Sequence, residues 1–445
     1  MSKFVDRPRY TCALGGAIST LRAIPRAIPI IHGSAGCGGN LTTAINAGAA
    51  YIGGGYCGGS ALPSSNVVER DVVFGGDTRL REQIQSSLEI IDGDLFVVVT
   101  GCMVDMIGDD TVAVVAEFKN AEKPVIAVPT PSFKGNSFYG YDLLFKGLIS
   151  TYITKTIPEP LSVNVLGIVP AQDVFWKGNL RELKRILKKL GLKVNTFFGE
   201  GETLENIRNA GQAALNIVVS NSFGIESAKY FEEIHGIPYI FSPLPIGALA
   251  GEQFLSTVGN ALHLDPLTIA RVIAEEKSIY YDYLERIADI YNDVDLQRYA
   301  IVVGDSSYAP ALTRFLSDEL GWLPELVVVT DVLEEAQETI VQSQCSGLNS
   351  GLKPHVYFDS DTSSVKKYVR EIWPRNQNNR YYDSMSPTVI VGSSFERDIA
   401  EEFGYPLVPV SFPLTGRCVM NRAYAGFSGG LSLTEDIISN LVAAR

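Results

Sequence analysis

Six cysteines hold much of the chemistry available to this 445-residue chain, and three of them, Cys12, Cys37 and Cys102, stand beside glycine or in turn-like settings. They lie 25 and 65 residues apart. Compact Cys-x-x-Cys pairs announce a metal, whereas thiols dispersed at this spacing are either buried small hydrophobes or ligands gathered by the fold. Cys102 is the best placed, because the run Leu95–Thr100 (LFVVVT) reads as a strand that presents it at its end, with Ile107-Gly108-Asp109-Asp110 following. A thiolate in that position suits iron, as sulfur clusters require. Cys57, Cys345 and Cys418 have no matching surroundings and read as structural or incidental.

Glycine is concentrated in Ile31–Gly59, which contains HGSAGCGGN and YIGGGYCGG. A phosphate loop of the Walker type needs Lys-Ser/Thr after its last glycine, and Gly38-Gly39-Asn40 offers neither, so nucleotide hydrolysis by this chain is excluded. Glycine here instead lets backbone approach something bulky or turn tightly. The histidines His32, His235, His263 and His355 form no HxxxH or HExxH pair, which excludes a histidine-based zinc site. His32, near Cys37, reads as a hydrogen-bonded core residue.

The elements that must position these groups follow from the apolar pattern. Leu95–Thr100, Val125–Val128, Val163–Val169, Leu215–Val219, Ala300–Val303, Leu326–Thr330 and Val389–Val391 are apolar on both faces, the signature of buried parallel strands. Between them Leu183, Ile186, Leu187 and Leu190 repeat at helical spacing, as do Leu312, Phe315 and Leu316 after Pro310. The expected class is α/β, with three doubly wound, Rossmann-like domains and mainly parallel sheets. Pro158-Glu159-Pro160 and the end of a charge-rich helical stretch from Pro266 to about Asp293 set the boundaries, giving domains 1–158, 159–295 and 296–445. In such sheets chemistry gathers beyond the carboxyl ends of strands, where Cys102, Ser132, Ser220, Asp305 and Ser393 fall.

Composition bounds the partners. With 50 acidic against 37 basic residues, the net charge of −13 opposes nonspecific binding of nucleic acid. No apolar run reaches the roughly 18 residues of a membrane span, and MSKFVDRPRY lacks a signal-peptide core, so a cytoplasmic protein is expected.

Taken in order, RYTCALGGA, IIHGSAGCGGN, DVVFGGDTRL, TGCMVDMIGDD and PTPSFKGNSFYGYD resemble the catalytic component, component 1, of nitrogenase and nitrogenase-like reductases. The likeness continues through GNLRELKRILKKLGL, SAKYFEEIHGIPYIFSPLPIG and FERDIAEEFGYPLVPVSFPL, and so spans nearly the whole chain. It implies that Cys12, Cys37 and Cys102 are ligands of a P-cluster-type iron–sulfur centre, [8Fe-7S], shared with an α-type subunit. Ser132, in the PSF motif, matches a serine that ligates according to redox state. Leu41, Met103 and Phe133 match apolar positions between that cluster and the docking face of the reductase.

The same resemblance implies which subunit this is. An α-type chain holds the active-site cofactor through a cysteine in its second domain and a histidine in its third. Here Ser220 and Ser411 stand at those places, and no histidine follows His355. The chain therefore resembles the β-type, electron-relaying partner, and no catalytic residue is assigned to it. The implied assembly is an α2β2 heterotetramer served by a homodimeric, ATP-dependent [4Fe-4S] reductase, with substrate reduced in the α-type subunit. The start only eleven residues before Cys12 and the GCGGN and GGGYCGG segments favour a methylthio-alkane reductase, which cleaves C–S bonds of small thioethers to methanethiol and hydrocarbon. The β subunit of an alternative nitrogenase, and a cofactor-assembly scaffold of the same family, are the other expectations.

Overall fold

The computed structural model describes residues 5–50, 62–293, 299–373 and 387–443. Cys57 and the expected boundary at 295 lie outside them. Three parallel sheets organise the chain. The first runs β1 (Ala27–His32), β2 (Leu95–Thr100) and β3 (Val125–Val128), side by side in that order. Every residue of β2 is buried. Leu95, Val97 and Val99 enter one apolar cluster while Phe96 and Val98 enter another, because alternate side chains of a strand face opposite layers.

Seven helices pack around or follow these strands: α1 (Ala13–Arg22), α2 (Ala35–Gly48), α3 (Glu69–Phe74), α4 (Asp77–Ile90), α5 (Cys102–Ile107), α6 (Thr111–Ala116) and α7 (Ser137–Thr151). α1 is buried from Ala13 to Leu21. It touches α7 backbone to backbone: a Cβ on Gly16 would lie 1.9 Å from the Ser137 carbonyl oxygen, and one on Gly140 1.9 Å from that of Ala13. Only glycine permits this approach.

The second sheet comprises β4 (Ser162–Leu166), β5 (Lys193–Asn195), β6 (Leu215–Val218) and β7 (Tyr239–Phe241), ordered β5-β4-β6-β7. α8 (Trp176–Lys189) covers it with Leu180, Leu183, Ile186 and Leu187 inward. The third sheet comprises β8 (Tyr299–Gly304), β9 (Leu323–Val329), β10 (His355–Phe358), β11 (Pro387–Gly392) and β12 (Leu407–Pro409), ordered β10-β9-β8-β11-β12. Strand order reverses between β4 and β6 and between β8 and β11, the positions where doubly wound sheets open a crevice. The α/β, mainly parallel architecture is the expected one. The last helix, Gly426–Ala443, returns from the third sheet to pack on α8 and on the helices Gly247–Ala261 and Pro266–Leu284.

All seven expected strands form, within a few residues of their expected ends. Five more, β1, β5, β7, β10 and β12, were not expected. Each lies at a sheet edge, where strands are short or only partly buried, as in β5, β7, β10 and β12, or interrupted by proline, as at Pro29 in β1.

Candidate metal centre

The carboxyl end of the first sheet gathers the residues singled out in the sequence. β1 and β2 pair in register to their last residues, His32 and Thr100. The Gly101 N–H donates to the His32 carbonyl at 2.8 Å, and Gly33 and Gly101 then pass each other closely. The chain leaving β1 enters α2, with Ser34 as its N-cap and Cys37 in the first turn. The chain leaving β2 enters α5, whose first residue is Cys102.

β3 is tied to the same end by a reciprocal clamp. Thr130 N–H donates to Thr100 Oγ1 at 2.8 Å, Thr100 N–H to Thr130 Oγ1 at 3.1 Å, and Thr130 Oγ1 to the Thr100 carbonyl at 2.8 Å. Ser132 follows two residues later. Its Oγ accepts from the Leu14 N–H at 3.4 Å and donates to the Thr130 carbonyl at 3.3 Å. Both contacts are longer than the usual 2.7–3.2 Å range, so this hydroxyl is held weakly. Leu14 belongs to the first turn of α1, whose N-cap is Cys12. The bridge between Cys12 and Asn136 and the Ala13 N–H to the Gly135 carbonyl, 3.2 Å, fasten that helix start beside Ser132.

Three thiols thus stand at three helix starts. Helix N-termini carry partial positive charge, which attracts anionic ligands. The groups sense one another: burial pushes the Cys37 thiol up, and the neighbouring Cys102 and Cys12 push it further. Cys12 and Cys37 are half-buried and Cys102 is exposed. Among the described residues, no three His, Cys, Asp or Glu side chains group tightly enough for a single ion. A multi-iron cluster asks for less crowding, since each thiolate takes a different iron.

The glycines of α2 supply a test of fit. Among the described residues, a Cβ on Gly39 would meet nothing within 4 Å, and one on Gly36 only Ser34 Oγ at 3.5 Å. Packing among the described residues therefore does not require glycine at either place, although each costs the helix about 0.5–1 kcal/mol relative to alanine. Both glycines leave room beside Cys37. The donor set of soft thiolates and one loosely held hydroxyl suits iron and sulfide. Cys12, Ser132 and Phe133 also line a cleft of about 770 Å³ that runs on to Asp331 and Gln337.

The surrounding apolar residues differ in exposure. Leu41 packs over Gly15, just after Cys12, Met103 is half-buried, and Phe133 is 61% exposed. Val73, Phe74 and Met106, on the contacting helices α3 and α5, are more than 70% exposed. His32 is buried, with Nδ1 2.9 Å from Ser65 Oγ and Nε2 3.0 Å from Asp109 Oδ2, the hydrogen-bonded core role expected of it. Burial pulls its basicity down, opposed by Asp109. The Thr100–Thr130 clamp and the His32–Asp109 latch were not read from the sequence. A threonine two residues before the Ser132 motif was the available signal.

Side chains fill the crevices around Ser220 and Ser411. Ser220 Oγ caps the turn after β6, accepting from Ser222 and Phe223 N–H groups, and accepts from Ser307 Oγ at 3.0 Å. Ser411 Oγ accepts from Arg9 Nη1 at 3.0 Å and donates to the Gly392 carbonyl. The void between Gly167, Asp173, Val219, Asp305 and Tyr308 is about 10 Å³, room for one water at most. Burial raises the Asp173 and Asp331 carboxyls to about 7. Cys345 is buried and Cys418 exposed. No helix among the described residues is long and apolar enough to cross a membrane.

Residues 12–442 match the family of nitrogenase component 1 type oxidoreductases. The molybdenum-iron protein beta chain of Methanococcus maripaludis is 24% identical over 98% of this chain and 94% of its own length. That of Azotobacter vinelandii is 24% identical over 98% and 84%. The vanadium-iron protein beta chain of Trichormus variabilis is 24% identical over 99% and 94%. A solved structure described as nitrogenase Cp1 at pH 6.5 superposes with a TM-score of 0.81 at 20% identity, covering 100% of this chain and 94% of that one, which is a likeness of fold. With the family matched across nearly its full length, this chain belongs to the nitrogenase component 1 type oxidoreductases, as a subunit of the beta type.

Proposed function

We propose that this chain is the electron-relay subunit of a nitrogenase-like reductase, in which Cys12, Cys37 and Cys102, with Ser132, hold this chain's share of a P-cluster-type [8Fe-7S] centre at the seam with an α-type subunit. The observation that carries the reading is the arrival of three thiols at three helix starts on one sheet end, beside glycines that leave space. When bound, such a cluster supplies storage and transfer of single electrons. The chain's residues do the rest. The thiols would bind iron as thiolates, and the loosely held Ser132 hydroxyl would exchange its long hydrogen bonds for iron as an alkoxide. Leu41 and Met103 limit water near the site. The exposed apolar side chains of α3 and α5 suit burial by protein partners, here the α-type chain of an α2β2 assembly and a homodimeric ATP-dependent [4Fe-4S] reductase.

Filled crevices at Ser220 and Ser411 support placing substrate reduction in the partner chain. For the substrate we propose small thioethers, cleaved to methanethiol and hydrocarbon. The beta chains of molybdenum-iron and vanadium-iron nitrogenases among its relatives favour dinitrogen as the second reading. Anaerobic co-purification with the α-type chain, iron analysis, and parallel assays with methylthioethanol and dinitrogen test both. Cys102→Ala should strip iron and abolish turnover while circular dichroism stays unchanged. Full iron content and activity in that variant would refute the relay role, and reduction of dinitrogen alone would refute the thioether assignment.

A further inference from the structure

A local excess of positive charge lies at the far ends of α1 and α2. A half-open cavity of about 610 Å³ is lined there by the last turn of α1, the last turn of α2, the turn at Pro170-Ala171, the start of α8, and the loops at Phe198–Glu200 and Met420-Asn421. Ten residues of α1 separate it from Cys12, roughly 15 Å at 1.5 Å per residue. It is therefore distinct from the metal centre.

Three cations line it, Arg22, Lys177 and Arg181, against one carboxylate, Glu200. Their partners are neutral. Arg22 Nη1 donates to Asn46 Oδ1 at 3.3 Å, Arg181 Nη2 donates to the Asn421 carbonyl at 3.1 Å, and the Lys177 ammonium lies 5.3 Å from the centre of the Trp176 ring. Arg22 is the informative one. It is half-buried, its Nε is sealed from solvent with no acceptor among the described residues, and burial works against its charge. A buried donor left without an acceptor costs about 1–3 kcal/mol, more when charged. The C-terminal dipoles of α1 and α2 offset part of one positive charge, not a surplus of two.

We propose that this cavity is a binding site for a small organic polyanion, one bearing two or more phosphate or carboxylate groups, with Arg22 as the inner anchor and Lys177 and Arg181 at the rim. Guanidinium forks pair with such oxyanions in bidentate fashion, and the vacant Nε–H completes the fork on Arg22. The site's volume admits a metabolite-sized ligand rather than a lone ion.

Calorimetric titration of the full chain, purified anaerobically with any subunit that accompanies it, tests this with sodium pyrophosphate and, separately, citrate as probes. Saturable binding of at least one probe is expected, and which one binds assigns phosphate or carboxylate chemistry. Arg22→Gln should weaken it at least tenfold, the value of one charged hydrogen bond. Should that variant fold poorly, Lys177→Gln with Arg181→Gln, both exposed, should weaken binding by as much, while Lys193→Gln on a remote surface should not. No saturable binding of either probe at millimolar concentration, or binding indifferent to the cavity variants, overturns the proposal. Iron content is unaffected in either case, so the outcome is independent of the cluster assignment.

Discussion

Replacing Arg9 with methionine tests how the segment that ends in Cys12 is anchored. Arg9 is 3% exposed and forms an ion pair with Glu396, itself fully buried. It also donates to the Val303 carbonyl at 3.0 Å, to Ser411 Oγ at 3.0 Å and to Thr362 Oγ1 at 3.1 Å. These acceptors belong to the third sheet and its loops, so one side chain fastens the N-terminal segment to them. Arg9→Met keeps much of the apolar stem but leaves Glu396 as an uncompensated buried charge, a loss of about 3–5 kcal/mol. The orphaned Val303 carbonyl adds about 1–3 kcal/mol. Thermal unfolding and limited proteolysis should both report the loss, with early cleavage near residues 5–12. The double variant Arg9→Met with Glu396→Gln should recover at least half of the loss, because it removes the stranded charge. A single variant within 1 kcal/mol of the parent, or a double variant no better than the single, would refute the assignment of that energy to a buried ion pair.

Three further outcomes follow from the same geometry. Thr100→Val keeps the shape but deprives Thr130 N–H of its acceptor and Asp105 of a donor. It should cost about 2–3 kcal/mol in denaturant unfolding and lower the iron bound per chain. Gly140→Ala forces a Cβ against the Ala13 carbonyl and should lower the thermal midpoint by the equivalent of about 1–3 kcal/mol. Asp173 is held near 7 by burial, far above its ordinary value of 3.8. The unfolded chain therefore releases this proton between about pH 4 and 7 while the folded chain keeps it, so stability falls across that window. Asp173→Asn should flatten the decline in thermal midpoint, and an unchanged profile would exclude this carboxyl as its source.

Buried strands were legible because both faces are apolar: LFVVVT can hardly be anything else, and β2 has the expected ends. Most edge strands carry no such signature, which is why β5, β7, β10 and β12 were missed, whereas β3, also at an edge, was read from its wholly apolar run VIAV. The site divides in the same way. Cysteine types and their order named the candidates, and the resemblance grouped them. Nothing in the spacing of residues 12, 37 and 102 revealed that each begins a helix, or that Thr100 and Thr130 would lock two strand ends together. Those are properties of tertiary register. The basic cavity was invisible for the same reason, since Arg22, Lys177 and Arg181 come from two distant helices of an acidic chain.

The contrast among the glycines bears most directly on what the first sheet is for. Gly16 and Gly140 are explained within the chain, because a side chain at either would strike backbone. Among the described residues Gly36 and Gly39 have open space on either side of Cys37, and they weaken the helix they begin. A fold selected for stability alone would place alanine there and gain about 0.5–1 kcal/mol at each position. Placing glycine on both sides of one thiol, at a helix start already suited to an anion, sacrifices local stability where a large, electron-rich neighbour would need the room. The space between Gly167, Asp173, Val219, Asp305 and Tyr308 shows the opposite arrangement, in which side chains satisfy one another and leave about 10 Å³.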